Sequence, residues 1–145
     1  MPGPSFVFRK PVDWSLLLEG VSIPQEMHAY FLPFQGRLLQ RGESKAVRVF
    51  LGGKVYSAQV TNVGFKGYAG HSDVVQIRYQ NNGELDRALQ ACFSESYTFL
   101  LEARSHRQKG DKTHLRLPEG REDTLNIYPT TDETVYLFEP CPAGE

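Results

Sequence analysis

The side chains with the clearest chemical potential in this sequence are basic and amide groups that recur in its polar segments. Arg and Lys neutralise phosphate oxygens, Gln and Asn pair with base edges, and aromatic faces stack on exposed bases. Several such segments on one scaffold predict contact with nucleic acid. The candidate contact residues are Arg9, Lys10, Arg37, Gln40, Arg41, Lys45, Lys66, Tyr68, His71, Arg104, His106, Arg107, Gln108, Lys109 and Lys112.

Patterns that would indicate catalysis are weak in the chain. It has no GxSxG, Walker loop or HExxH motif, and no GxGxxG that leads into a helix. The four histidines are scattered and have no Cys or acidic partner at metal-ligand spacing. A magnesium nuclease needs an acid followed shortly by an acid-x-lysine element, and Asp73 and Glu43-Ser-Lys45 come nearest to these pieces, but they lie in different contexts. We therefore predict no catalytic residue, no metal site and no cofactor, and no enzymatic activity.

Length and composition fit one domain without membrane contact. The chain has 145 residues and a mass of 16.4 kDa, and chains usually divide only above ~250 residues. Its apolar runs are shorter than the ~20 residues that span a bilayer, and its beginning lacks the features of a signal peptide. The two cysteines form no disulfide framework, so a cytoplasmic location is expected.

Charge is distributed unevenly although the formal net charge is only -1. Residues 1–118 hold 15 of the 16 basic residues and 10 of the 17 acidic ones, whereas the remaining segment holds 7 acidic residues. A positive body with an acidic end is typical of a protein that binds a polyanion on one face. The same pattern also fits an acidic terminus that is simply solvated.

The elements that position these side chains are mainly strands. Gly52-Gly53 between two alternating runs predicts a hairpin, and Asp13 predicts the start of a short helix. Many short strands with two or three short helices favour an α+β fold built on an open or closed β-barrel. Strands are predicted over residues 5–9, 46–51, 54–61, 74–79, 97–102, 113–117, 125–128 and 134–138, and helices over 13–18, 25–32 and 84–93. We predict one domain over residues 1–145, with a core over about 5–138 and a flexible acidic tail over 139–145.

Two stretches carry a resemblance to a known fold. Val21-Ser-Ile-Pro-Gln-Glu-Met-His-Ala-Tyr-Phe31, followed by Val47-Arg-Val-Phe-Leu-Gly-Gly-Lys-Val-Tyr-Ser-Ala-Gln-Val60, resembles the opening of DNA-binding pseudobarrel domains. These domains occur in plant B-three transcription factors and as the effector-binding domain of type IIE restriction endonucleases. Residues 76–79, with Leu85, Leu89, Phe93, Ser96 and Tyr97, are also similar to N-terminal modules of bacterial HNH-type restriction nucleases.

The resemblance implies an open barrel of about seven strands that grips the major groove with two arms. Arg9, Lys10, Arg37, Gln40 and Arg41 would belong to one arm, and either residues 66–71 or residues 104–112 would form the other. It implies a module of a restriction or defence system that recognises a DNA sequence or base modification in double-stranded DNA. Cleavage would reside in a separate nuclease domain or subunit, because no residue of nuclease chemistry is visible in this chain.

Two alternatives from other functional classes remain open at this point. The chain could be a protein-interaction or assembly domain of a bacterial defence complex that uses an exposed strand edge. It could also be a small-molecule-binding β-barrel, lined by Tyr30, Tyr56, Phe65 and Tyr97.

Overall fold

The structure is a computed structural model that describes residues 7–63, 74–79, 83–107, 110, 117 and 122–143. Within these residues the chain forms nine strands, three α-helices and one 3-10 helix. The strands are β1 Phe8–Pro11, β2 Gly20–Ile23, β3 Pro33–Phe34, β4 Arg37–Leu38, β5 Ser44–Leu51, β6 Lys54–Val63, β7 Val74–Arg78, β8 Thr124–Pro129 and β9 Val135–Cys141. The helices are α1 Trp14–Leu18, the 3-10 helix Gln25–Tyr30, α2 Leu85–Cys92 and α3 Ser94–Ser105.

Seven strands form one nearly closed, barrel-like sheet in the order β1-β8-β9-β5-β6-β7-β2. All neighbours are antiparallel except β5 and β9, which run parallel. The edge strands β1 and β2 have four residues each, and α1 joins them along the chain. The predicted fold class, mainly β with short helices in a seven-stranded open barrel, is confirmed.

The predicted β5–β6 hairpin is present and is the longest pair in the sheet. Gly52 and Gly53 both have positive φ, 59° and 81°, which glycine adopts without a steric penalty. Val47, Val49 and Leu51 point inward from β5 and are buried, as the alternation in the sequence predicts.

Register divides the molecule into two ends. The starts of β5 and β7 and the ends of β2 and β6 lie at one end, because Ser44 pairs with Thr61, Val63 with Val74 and Ile23 with Val75. We call this the rim end, since the connection from β4 to β5 reaches the sheet there. The opposite end, where β1 leads into α1, is called the helical end.

The interior of the barrel is filled by side chains. Val49, Val60 and Ile77 come from β5, β6 and β7, Leu125 and Ile127 both come from β8, and all five are fully buried. At the helical end, Leu16 and Leu17 of α1 and Leu85 and Leu89 of α2 close the core.

Local signals explain the first two α-helices. The Asp13 carboxylate accepts a hydrogen bond from the Leu16 amide at 2.8 Å, which satisfies one unpaired donor of the first turn. Leu85 and Leu89 are spaced by one turn and place both side chains on the buried face of α2. The predicted helices over 13–18 and 84–93 are therefore confirmed, and the one over 25–32 is a 3-10 helix ending at Tyr30.

The predicted strand over residues 97–102 is wrong, because this stretch lies in α3. Its aromatic and β-branched residues favour a strand, but Ser96 and Leu100 at i and i+4 are both buried, and the Ser96 hydroxyl donates to Asp123. Tertiary packing thus overrides the local preference.

The predicted bounds of the acidic tail also change. β9 continues to Cys141, and Glu139 pairs with Asn126, so the first residues of that tail belong to the sheet. The predicted strand over 113–117 lies outside the described residues except for Leu117, which is buried.

Candidate nucleic-acid interface

A row of polar side chains covers the outer surface of β5, β6, β7 and β2 toward the rim end. Ser44 pairs with Thr61, Thr61 with Gln76 and Gln76 with Ser22, while Gln59 pairs with Arg78. The residues alternate with the buried positions of their strands and therefore point outward. We define the polar face as Ser22, Ser44, Gln59, Thr61, Gln76 and Arg78.

Neighbouring strands hold the polar face in place through side-chain hydrogen bonds. The Ser44 and Thr61 hydroxyls are 2.9 Å apart, and the Gln76 amide nitrogen donates to the Ser22 hydroxyl at 3.4 Å. The four strands beneath it contain no Asp or Glu. The face therefore presents hydroxyl, amide and guanidinium groups on strands that themselves contain no carboxylate.

Three of the candidate contact residues, Arg37, Gln40 and Arg41, lie beside this face at the rim end. The segment is fixed to β6 by backbone hydrogen bonds between Gly42 and Asn62, 2.7 Å, and between Asn62 and Glu43, 3.0 Å. Gln40 and Arg41 are exposed, and the Gln40 amide nitrogen donates to the Leu38 carbonyl at 3.1 Å. The structure thus brings these three residues next to the polar face. We call Arg37, Gln40 and Arg41 the rim residues.

Arg37 is held by a carboxylate. Its two terminal nitrogens donate to the two Glu43 oxygens at 2.7 Å each, and the Gln40 backbone amide donates to Glu43 as well. The Arg37 hydrogen bonds, followed by the Gln40 amide, lower the pKa of Glu43 to about 2. Because the Arg37 side chain remains 57% exposed, a phosphate could compete with Glu43 for the guanidinium.

The structure contradicts the prediction that Lys45 is a surface contact. Its side chain points inward from β5 and is only 2% exposed. The ammonium donates to the carbonyls of Pro33 at 2.7 Å and Glu133 at 2.6 Å, and it lies 5.6 Å from the centre of the Tyr136 ring. Lys45 therefore joins the β3 segment to the β8–β9 turn. Burial, opposed by the nearby Glu133 and Asp132 charges, lowers its pKa to about 8.

Arg9 and Lys10 lie on β1, at the far edge of the sheet from β7 and β2. The Arg9 side chain donates to Asn126 at 2.9 Å, and Asn126 in turn donates to Glu139 at 3.1 Å. These three residues stand opposite one another on β1, β8 and β9. In the strand order, β8 and β9 separate β1 from β5, the first strand of the polar face.

Arg104, His106 and Arg107 lie at the helical end. The Arg104 guanidinium sits 4.7 Å from the centre of the Trp14 ring, which also stacks on Tyr97 at 6.3 Å. Since Trp14 begins α1, this group lies at the opposite end of the strands from the rim residues. Arg37 and Arg104 therefore do not converge on one surface.

Six of the candidate residues lie outside the described residues. The β6–β7 connection contains three of them, and its two flanks, Val63 and Val74, pair at the rim end. These six residues stay predictions: Lys66, Tyr68, His71, Gln108, Lys109 and Lys112.

The contact residues predicted from the sequence do not include Gln59, Gln76 or Arg78. Their signal was present as period-2 alternation, since each one separates two apolar residues in a strand run. Alternation alone shows that they point outward, whereas their adjacency depends on the register between β6 and β7.

Two of the aromatic residues proposed for a ligand-binding barrel, Tyr30 and Tyr97, lie far apart in the structure. Tyr30 is exposed on the 3-10 helix, and Tyr97 stacks on Trp14 at the helical end. Tyr56 packs against the core, and Phe65 lies outside the described residues. The prediction that Tyr30 and Tyr97 face one cavity is wrong, because they belong to opposite ends of the strands.

Comparisons of the chain with protein-family models, curated proteins and solved structures give no match. Within the described residues, no group of three or more His, Cys, Asp or Glu side chains could hold a metal ion. In the same part of the chain, none of the helices has the length and apolar character needed to cross a membrane.

Proposed function

We propose that the protein binds double-stranded DNA through the polar face and the rim residues. The observation that carries this proposal is the set of Arg, Gln and hydroxyl side chains on four adjacent strands that contain no carboxylate. A surface with this composition matches a phosphate backbone and exposed base edges. Arg9, Lys10, Arg104, His106 and Arg107 lie elsewhere, so they are not part of the proposed site.

The two kinds of side chain take different roles in this proposal. Arg37, Arg41 and Arg78 contact phosphates and set the position of the duplex. Gln40, Gln59 and Gln76 offer a donor and an acceptor on one side chain, which suits pairing with adenine in the major groove. The hydroxyls of Ser22, Ser44 and Thr61 add phosphate contacts.

The width of the polar face favours a duplex groove over a narrower ligand. Four neighbouring strands spaced by ~4.8 Å span about 14 Å. The major groove of B-form DNA is ~12 Å wide, which is close to this value. The face can therefore lie along one groove and reach the phosphates at its margins.

The recognition role in a restriction or defence system rests on the family resemblance of residues 21–31 and 47–60. Under this proposal the chain selects a DNA sequence or a modified base and has no catalytic activity of its own. A nuclease domain or a separate nuclease subunit would carry out the cleavage.

An electrophoretic shift assay tests the proposal. Random-sequence duplexes, with and without cytosine methylation, are titrated with the wild-type protein and with a Gln59→Ala, Arg78→Ala double variant. We expect the wild type to retard the duplex and the variant to need at least tenfold more protein, because it loses one phosphate contact and one base contact.

The matched control is Arg87→Ala, which removes an exposed arginine from α2 at the helical end. It should bind as well as the wild type. Equal weakening by Arg87→Ala, or the absence of any shift with either duplex pool, would contradict the proposed site. A difference between the methylated and unmethylated pools would identify base modification as part of the recognised feature.

A further inference from the structure

A row of apolar side chains crosses the outside of the sheet between its two ends. Phe50 of β5 pairs with Val55 of β6 and with Leu137 of β9, and Leu137 pairs with Tyr128 of β8. Phe50 is 40% exposed, Val55 51% and Leu137 42%, while Tyr128 is partly buried. We call Phe50, Val55, Tyr128 and Leu137 the apolar stripe.

The stripe lies on a surface that is otherwise mostly polar. Arg48, Ser57 and Glu139 also point outward from the same strands, two residues away from stripe positions. Single exposed apolar side chains are ordinary, but a contiguous row on adjacent strands is typical of an interaction surface. The polar face is separate from the stripe, because it lies nearer the rim end.

Two opposite charges stand on opposite sides of the stripe. β5 and β9 are parallel and Phe50 pairs with Leu137, so Arg48 precedes the stripe by two residues and Glu139 follows it by two. Each charge therefore lies about 7 Å from the row, on either side of it. This arrangement is self-complementary about an axis that runs along the stripe.

We propose that the apolar stripe binds the same stripe of a second copy of this chain. A two-fold rotation about the stripe stacks the two apolar rows and brings Arg48 of each copy beside Glu139 of the other, offset by one strand spacing of ~4.8 Å. An interface of this kind is isologous, so one patch supplies both halves of the contact. A partner with a different charge pattern would place a like charge, or none, against one of the two flanking charges.

Intramolecular contacts already hold Glu139 in place for such a contact. Its carboxylate accepts hydrogen bonds from Asn126 at 3.1 Å and from the Tyr128 hydroxyl at 3.0 Å. These bonds lower the pKa of Glu139, which keeps it ionised. On the other side of the stripe, Asp132 lies near Arg48, but Thr134 already donates to that carboxylate through its amide and hydroxyl.

The size of the stripe sets the strength of the dimer. Its exposed area is a fraction of the ~800 Å² that each partner buries in a standard interface. The dimer is therefore weak, and its population rises with protein concentration over the micromolar to millimolar range.

Sedimentation equilibrium of the intact chain measures this association. We expect the wild-type average mass to rise toward twice 16.4 kDa with concentration. A Phe50→Ser, Leu137→Ser variant should stay at the monomer mass. Leu101→Ser is the matched control, because Leu101 is 41% exposed on α3 and outside the stripe, and it should associate like the wild type.

A charge-reversal experiment tests the proposed symmetry and does not depend on the folding of the stripe variant. Arg48→Glu alone places Glu against Glu139 of the other copy, and Glu139→Lys alone places Lys against Arg48. Each variant should remain monomeric by itself. An equal mixture of the two restores both ion pairs, so it should form a heterodimer at least tenfold more tightly than either variant forms a homodimer.

A monomeric wild type at millimolar concentration would overturn the proposal. So would association that persists in the Phe50→Ser, Leu137→Ser variant, or a mixture of the charge variants that gains no affinity. Before its association is measured, each variant is shown to be folded by thermal unfolding monitored by circular dichroism.

Discussion

Two basic residues on β5 show that the role of a charge depends on which face of the strand it occupies. Lys45 points into the barrel and donates to two backbone carbonyls, whereas Arg48 points outward and is exposed. In the sequence, Lys45 falls in the polar connection before the predicted strand, and Arg48 is a polar residue within that strand. The phase of Val47, Val49 and Leu51 places Lys45 on the buried side, so extending the alternation by one step predicts its burial.

The lowered pKa of Lys45 leads to a prediction on stability. In the folded protein its pKa is about 8, below the ordinary value of 10.5 that applies to the unfolded chain. The unfolded chain therefore binds more protons between these values, and the contribution of Lys45 to the free energy of unfolding rises with pH in that window. Below pH 8 both states are protonated, and the contribution is constant.

Urea unfolding of the wild type and Lys45→Met at pH 7.5 and pH 9.5 measures this effect. We expect the difference in unfolding free energy to move in favour of the wild type at pH 9.5, by on the order of 1 kcal/mol. Comparing the two proteins cancels the titration of the other lysines. A difference that is the same at both pH values would show that Lys45 keeps its ordinary pKa.

Arg104 has a structural role in this account. Its guanidinium covers one ring of the Trp14–Tyr97 stack, and cation–π contacts at exposed sites contribute about 0.5–1 kcal/mol. Arg104→Ala should lower the free energy of unfolding by that amount and leave duplex affinity unchanged. Trp14 is the only tryptophan, so its fluorescence reports the unfolding directly. A loss of DNA affinity in a folded Arg104→Ala protein would return this residue to the binding site.

At the scale of elements, the accuracy of the predictions depends on whether the signal is local. The Gly52-Gly53 turn and the Asp13 cap act within a few residues, and both elements form where they are predicted. α3 differs because its burial depends on α1 and Asp123, which are distant in sequence. Its aromatic run has a strand preference that only these contacts override.

The close pairing of β2 with β7 requires a glycine at the first position of β2, Gly20, because a side chain there would have no room. A Cβ at Gly20 would overlap the Ile77 carbonyl and lie 3.1 Å from the Arg78 Cα, and both are backbone atoms that cannot rotate away. We expect Gly20→Ala to destabilise the protein by about 1–3 kcal/mol, as other overpacked substitutions do.

Thermal unfolding measures this prediction, with Ser22→Ala as the control on the same strand. Ser22 is exposed, so its substitution should change the midpoint little. An unchanged unfolding temperature for Gly20→Ala would contradict this prediction, because it would mean that β2 can move away from β7 with no loss of stability.

At the scale of the whole molecule, the sequence predicts the barrel better than the surface it presents. Basic segments such as 37–41 and 104–112 look equivalent along the chain, yet the topology places Arg37 and Arg104 at opposite ends of the strands. The polar face depends on three strand registers, which no local pattern encodes. The same registers separate that face from the apolar stripe, so the proposed DNA-binding site and the proposed dimer interface lie on different surfaces.

The salt dependence of duplex binding tests the central proposal most directly. Each phosphate contact contributes about -0.9 to the slope of log affinity against log salt concentration for B-form DNA. Three phosphate contacts, by Arg37, Arg41 and Arg78, predict a slope of about -2.7 or steeper. Arg78→Ala should make the slope shallower by about 1. Fluorescence anisotropy between 50 and 200 mM salt measures this slope. Over that range, binding through several phosphate contacts weakens by orders of magnitude. A slope near zero, or one that Arg78→Ala leaves unchanged, would contradict the proposal that this face holds the phosphate backbone.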